Sequence, residues 1–233
     1  MAVDSNRLIA QLDADIVNCR QCPRLVAWRE DVAIEKRAAY RDEQYWGKAV
    51  PGFGPGSASV LVMGLAPAAH GANRTGRVFT GDRSGDWLFR SLHRVGLASQ
   101  PVSTHINDGL QLINCRVGAA VRCAPPGNAP TPEERDACAP FLERELGAMT
   151  ALRVIVVLGN FAYQAIASHL GVRPRPKFGH GVEVPTVFPN GYHGALLCSF
   201  HPSQQNTFTG KLTEDMLDSV MHRAAALGKP QLD

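Results

Sequence analysis

VLVMGLAPAAHGANRTGRVFTGDRSGDW, residues 60–87, is the stretch that decides the architecture. Residues 59–63 are apolar or β-favouring and end at Gly64, the pattern of a short buried strand. Five glycines (64, 71, 76, 81 and 85) then punctuate a polar run, and helical spacing resumes only at Trp87. A strand whose carboxyl end opens into a long polar loop, with a helix beyond it, is one unit of an open α/β sheet. In such sheets ligands sit at that end of the strands. A loop of this length inside a compact fold is functional or disordered.

Toward the amino terminus, residues 4–18 read as a helix capped by Asp4 or Ser5, with Leu8, Ile9, Leu12, Ile16 and Val17 on one face. It leads into Cys19-Arg20-Gln21-Cys22-Pro23. A second amphipathic stretch covers 24–40, and residues 45–56, rich in glycine and proline around Phe53, read as an irregular loop. Toward the carboxyl terminus, a helix is expected over 85–95. Residues 110–114 suggest a second strand, with 119–123 continuing in extended form. The proline-rich residues 124–130 cannot be helical. Thr131-Pro132-Glu133-Glu134 then starts a helix: threonine caps, proline takes the first position, and the glutamate reaches back. Residues 153–158 form the clearest buried strand, followed by a helix to about 170. Residues 171–194 predict a hairpin or irregular excursion. Residues 195–200 read as another buried strand, ending at His201-Pro202-Ser203, and a last helix runs from near 213 to 228. Alternating strands and helices predict a three-layer α/β/α sandwich with a mainly parallel central sheet, built as a single domain over 1–233.

Hydrophobic residues make up 45% of the chain and charged residues 19%, an ordinary globular balance. No apolar run approaches the roughly 20 residues that span a bilayer, and the acid-bearing start does not read as a signal peptide. A cytoplasmic protein with no membrane partner is expected. The net charge of +3 is compatible with nucleic acid without requiring it. Six cysteines in such a chain shift the weight from disulfides to metal or redox chemistry.

The spacing is Cys19-x2-Cys22, then Cys123-x14-Cys138. Two pairs brought together supply four thiolates, which suit tetrahedral zinc or an iron–sulfur cluster. A zinc ribbon uses two tight knuckles. Here the second pair is split by a proline loop and part of a helix, which favours a [4Fe–4S] cluster; four unrelated buried cysteines are the plain alternative. Cys115 and Cys198 lie in apolar stretches and read as core.

Phe79 stands among Arg77, Thr80, Gly81 and Asp82. An aromatic there can stack on a flat base; taken alone, it reads better as a loop anchor packed on the core. Asn73, Arg74 and Arg77 read either as phosphate contacts or as solvated side chains. His201 closes a buried strand and can donate to an anionic leaving group, although a lone histidine is more often structural. Ser203 with the amides of Gln204 and Gln205 can grip a phosphate, and residues 205–210 read either as a wedge with one aromatic or as a plain connection.

Together these residues resemble the uracil-DNA glycosylase superfamily, closest to its iron–sulfur branch and within that to family 5, the type-b enzymes. Residues 64–82 are similar to that family's first motif and His201-Pro202-Ser203 to its second, with the cysteines at its cluster positions. The resemblance implies a monofunctional DNA glycosylase of base excision repair. Such an enzyme hydrolyses the N-glycosidic bond of uracil, and of other deaminated bases such as hypoxanthine, in DNA. It implies a [4Fe–4S] cluster held by Cys19, Cys22, Cys123 and Cys138, and a monomer. It implies a base pocket of Gly64, Ala66, Ala68, Phe79, Ala119 and His201, with Asp82, His201 and Asn128 catalytic and Arg77, Ser203, Gln204 and Gln205 on DNA.

The departures carry information too. Four-cysteine relatives of family 4 have a glutamate where this chain has Leu65, so Asp82 is the nearest substitute. Relatives strict for uracil have an asparagine where this chain has Ala119. A site lacking that amide leaves nothing unpaired when the wrong base enters, so the resemblance implies broad specificity. Two other readings stay open from the residues: a non-catalytic, zinc-stabilised nucleic-acid-binding module, and a hydrolase of free nucleosides.

Overall fold

The computed structural model describes residues 4–230. The expected domain span of 1–233 includes residues 1–3 and 231–233, which lie outside the described residues. Five strands form one sheet: β1 (Val60–Gly64), β2 (Cys115–Ala119), β3 (Val154–Leu158), β4 (Glu183–Val187) and β5 (His193–Ser199). Their order is β2-β1-β3-β5-β4, parallel throughout except for the antiparallel edge strand β4.

Alternation within each strand splits the apolar side chains between two cores. On one face, Leu61 and Met63 of β1, Ile155 and Val157 of β3, and Leu196 of β5 pack on four helices. These are α1 (Ser5–Val17), α2 (Pro23–Glu35), α5 (Pro132–Ala148) and α6 (Asn160–His169). On the other, Val60, Val62, Val154 and Val156 meet Leu88, Phe89 and Leu92 of α4 (Arg83–Arg94) and Leu217, Val220 and Met221 of α8 (Glu214–Leu227). Each such side chain, fully buried, contributes about 1.5–3 kcal/mol. A sheet covered on both faces reads as continuous apolar strands, as β1 and β3 do. The expected three-layer fold is borne out.

Local signals place the helix starts. Asp4 caps α1, accepting from the Arg7 amide at 3.1 Å, and Thr131 with Glu134 forms the reciprocal cap at α5. The second stretch ends as a helix at Glu35, short of the expected 40, and a 3-10 turn over Ala38–Tyr40 follows. The expected strand at 110–114 is a correction. That segment is a loop, and β2 is the next five residues, Cys115–Ala119. Arg116 and Gly118 interrupt its apolar pattern and hid it. The Arg116 side chain is 1% exposed, yet it is neutralised by Glu145 of α5 at 2.7 Å and Asp13 of α1 at 2.6 Å. Gly118 leaves room for Met63, whose sulfur would lie 3.0 Å from an added Cβ. The excursion at 171–194 contains β4, paired with β5 as a hairpin.

The chain leaves β1 for β2 on one side and β3 on the other, so the carboxyl ends of β1 and β3 face a topological switch point. That is where an open parallel sheet leaves a crevice.

Candidate functional site

The crevice exists, with a volume of about 630 Å³. Leu65, Ala66 and Ala68 enter it from the end of β1, Leu158 to Phe161 from the end of β3, and His201 from the end of β5. Phe79, Asp82, Arg83 and Asn128 close its sides, and Ser203, Gln204 and Gln205 form its rim.

Phe79 packs on the core, as a loop anchor would, and its ring also reaches the cleft. Its side chain is 8% exposed, and its ring lies where a Cβ on Gly64 would stand, 2.5 Å from Cζ. Any side chain at position 64 displaces that ring. Yet the ring also lines the cleft, stacked near His201 with centroids 5.9 Å apart and planes at 29°. Phe79 has φ +53°, a conformation a bulky residue adopts at a cost of about 1–3 kcal/mol where the surroundings enforce it. Asn128 also has a positive φ, +56°, in the 3-10 turn Pro126–Asn128, and an asparagine tolerates that more readily.

Asp82 caps α4: its Oδ1 accepts from the Gly85 amide at 3.0 Å. Its Oδ2 faces Gly71, where an added Cβ would come within 2.2 Å. Burial raises the pKa of this carboxyl, against the amides of Gly85 and Ser84, which lower it. Burial outweighs the two amides, and the net shift is upward. His201 is held by the Asn206 side-chain amide, which donates to its carbonyl at 2.9 Å. Burial lowers the imidazole pKa to about 4, so the ring is neutral at neutral pH.

That shift has a sign for stability. The folded pKa lies below the unfolded value of about 6.5, so the stabilising effect is complete above 6.5 and is lost as pH falls toward 4. The melting temperature should fall over that window, and His201→Gln should remove that part of the slope. Parallel pH curves for the two proteins would show that the imidazole is not desolvated.

The 64–82 loop is braced from within. A short helix, α3 (Ala72–Thr75), interrupts it. Arg77 requires a correction: it is 3% exposed, ion-paired with Asp108 at 2.6 Å, and donates to Ser103 at 2.7 Å and Thr80 at 3.0 Å. It has no face to offer a phosphate. Arg74 pairs with Glu43 and donates to the carbonyls of His70 at 2.8 Å and Gly81 at 3.1 Å. Asn73 is fully buried. None of the three is solvated either. His70 bonds the Tyr45 hydroxyl at 3.1 Å and stands outside the cleft. Ala119 pairs in register with Gly64 and is 2% exposed, so it sits behind the cleft wall rather than on it. The residues that sequence reasoning missed are Gly159 to Phe161 and Arg83. The signal for the first was present, a Gly-Asn pair ending the clearest buried strand.

The four spaced cysteines gather at the turn between α1 and α2. Cys22 precedes α2, Cys123 follows β2, and Cys138 lies in α5. They lie close enough for their charges to act on one another: Cys19 on Cys22, Cys19 and Cys22 on Cys138, and Cys138 and Cys19 on Cys123. Burial pushes the Cys123 thiol up to about 12. Among the described residues no three histidine, cysteine or acidic side chains converge as one metal ion would require. A four-iron cluster takes each thiolate on a separate iron and suits the wider set. Arg29, buried and donating to the Cys123 sulfur at 2.9 Å, provides positive charge beside them. The donor set therefore fits an anionic iron–sulfur group. Cys115 and Cys198 are buried in β2 and β5, as core residues.

Residues 51–225 match the family model described as the uracil DNA glycosylase superfamily. The chain is 53% identical over 222 residues to a type-5 uracil-DNA glycosylase of Mycobacterium bovis, covering 94% of this chain and 81% of that protein. It is 52% identical to the type-5 uracil-DNA glycosylase of Thermus thermophilus, covering 90% and 93%. It is 29% identical to a type-4 uracil-DNA glycosylase of Pyrobaculum aerophilum, covering 68% and 64%.

Proposed function

Because this chain belongs to the uracil DNA glycosylase superfamily, we propose that it is a DNA glycosylase that hydrolyses the N-glycosidic bond of uracil in DNA, working as a single domain. The observation that carries the reading is the meeting of Phe79, Asp82, Asn128 and His201 in one cleft, roomy enough to admit a nucleobase, at the sheet's switch point. These residues come from three separate segments, the 64–82 loop, the turn at Asn128 and the end of β5, and a purely structural role for each does not require them to converge.

In the proposed reaction the target nucleotide leaves the stack and its base lies against Phe79. The loop at 64–69 and Asn128 contact the edge of the base. As the bond from the sugar to the base nitrogen breaks, the bonding electrons go to the base. The neutral His201 ring donates a hydrogen bond to the charge that grows there. Asp82 balances the positive sugar and takes a proton from the attacking water. Leu65 and Ala119 offer neither an acid nor an amide reader, which supports acceptance of hypoxanthine and related deaminated bases.

DNA meets the rim at Ser203, Gln204 and Gln205. Ser203 caps the short helix α7 (Gln204–Phe208), and its Oγ accepts from the Asn206 amide. Phe208 projects from that helix 67% exposed, with the Arg83 guanidinium 4.4 Å from its ring. It is the wedge that replaces the extruded base, and Arg83 takes the phosphate role expected of Arg77.

Cys19, Cys22, Cys123 and Cys138 would hold a [4Fe–4S] cluster, which supplies structure rather than bond-breaking chemistry. The thiols, free among the described residues, suit a reducing cytoplasm, and no described helix is long and apolar enough to cross a membrane. We take the active form to be a monomer.

The test is a duplex oligonucleotide with one uracil, incubated with the purified protein and treated with alkali. Free uracil and cleavage at the abasic site are expected, with hypoxanthine released from a parallel duplex. Tight binding of the same duplex without base release would establish the binding-module reading instead.

A further inference from the structure

Arg29 of α2 is a buried cation with no ion-pair partner among the described residues. Its neighbours Arg20 and Arg24 pair with Glu30 and Glu134. Arg29 is 2% exposed, and its donors go to the Cys123 sulfur at 2.9 Å and to the Cys19 carbonyl oxygen at 3.0 Å. Its Nε has no partner among the described residues. Burying a guanidinium is unfavourable unless opposite charge and acceptors meet it. A thiol and one carbonyl do not supply that charge; sulfurs bound to an anionic iron–sulfur group do. The same residue is also tied to the 64–82 loop. Its carbonyl accepts from the Asn73 side chain at 3.1 Å, and Asn73 lies in α3 of the 64–82 loop. The Gly71 that precedes α3 packs against Asp82.

We propose that Arg29 is a positioning residue for the cluster, its guanidinium serving as an N–H···S donor and counter-charge to the Cys123 sulfur while its main chain anchors the base-pocket loop. The inference rests on the reading of the four cysteines as cluster ligands. A positive charge and a hydrogen bond on a ligating sulfur both disfavour removal of an electron from the cluster, so Arg29 raises its reduction potential. They also hold the sulfur in place. Partners of this kind are worth about tenfold to a hundredfold in metal retention when removed.

The experiment compares wild-type protein, Arg29→Lys and Arg29→Met, each purified anaerobically with its cluster. Iron content, the visible absorption band, the reduction potential and the rate of bleaching in air with a chelator are measured. Both variants should have a lower potential and bleach about tenfold faster or more, with methionine more affected than lysine, which keeps the charge but not the fork. If Arg29→Met fails to fold, Arg29→Lys decides alone, because its smaller shift has the same sign. Variants with wild-type potential and bleaching rate overturn the proposal while leaving the cluster intact. A colourless, iron-free wild-type protein overturns the cluster reading itself, and with it this one.

Discussion

Asp82→Asn should lower the single-turnover rate of uracil release by about a hundredfold or more and leave the melting temperature unchanged or higher. The amide keeps an oxygen for the Gly85 amide that Asp82 now accepts at 3.0 Å, so the start of α4 survives. What it loses is the negative charge and the proton-accepting site. The carboxyl's pKa is raised by burial. The fold therefore favours the protonated form: the associated stability is present below the unfolded carboxylate pKa of about 3.9 and is lost as pH rises through the higher folded value. Asparagine never ionises, so this loss at neutral pH disappears. The rate of the wild-type protein should fall as pH drops through that raised pKa, and the variant's residual rate should be flat there. A melting temperature lowered by several degrees, with a rate reduced in the same proportion as the folded fraction, would reduce Asp82 to a helix cap.

The largest effect on stability is expected at Glu145→Gln. Glu145 is fully buried between two buried arginines, meeting Arg116 at 2.7 Å and also pairing with Arg122. Burial alone would raise its pKa, but Arg122 and Arg116 outweigh burial and the net shift is downward. The second negative charge near them is Asp13, at 2.6 Å from Arg116. Two cations thus face two acids, and neutralising Glu145 leaves one positive charge uncompensated in the core. Breaking a buried pair in this way costs about 3–5 kcal/mol. At roughly 2–4 °C per kcal/mol for a chain of this size, the melting temperature should fall by about 10 °C. The change also reaches the site, because Arg122 precedes Cys123 and Arg116 lies in β2. A variant that melts with the wild type would mean that water or relaxation already screens these charges.

Much of the fold was legible in the residues. β1 and β3 are uninterrupted apolar runs bounded by glycine, β5 carries one over residues 195–198 ahead of a histidine-proline pair, and α1 and α5 carry their caps in the sequence. The site was legible in part. The long loop after β1 and the histidine after β5 were placed at strand ends by pattern alone, and a parallel sheet puts such ends on one side. β2 was not legible, since an arginine and a glycine broke its pattern.

The amino-acid sequence alone determined the layered α/β architecture, the helix starts, the glycine-punctuated loop and the four spaced cysteines. Each depends on neighbours a few residues apart, which alternation, capping and turn chemistry express locally. Only the tertiary structure decided that Arg77 is sealed against Asp108, that Arg116 lies buried in a strand beside Glu145, and that Phe79, Asp82, Asn128 and His201 share one cleft. Those outcomes turn on charge pairing and close approach between segments far apart in the chain. Whether a buried arginine is stable depends on the acid that another helix brings to it, and no local pattern carries that information.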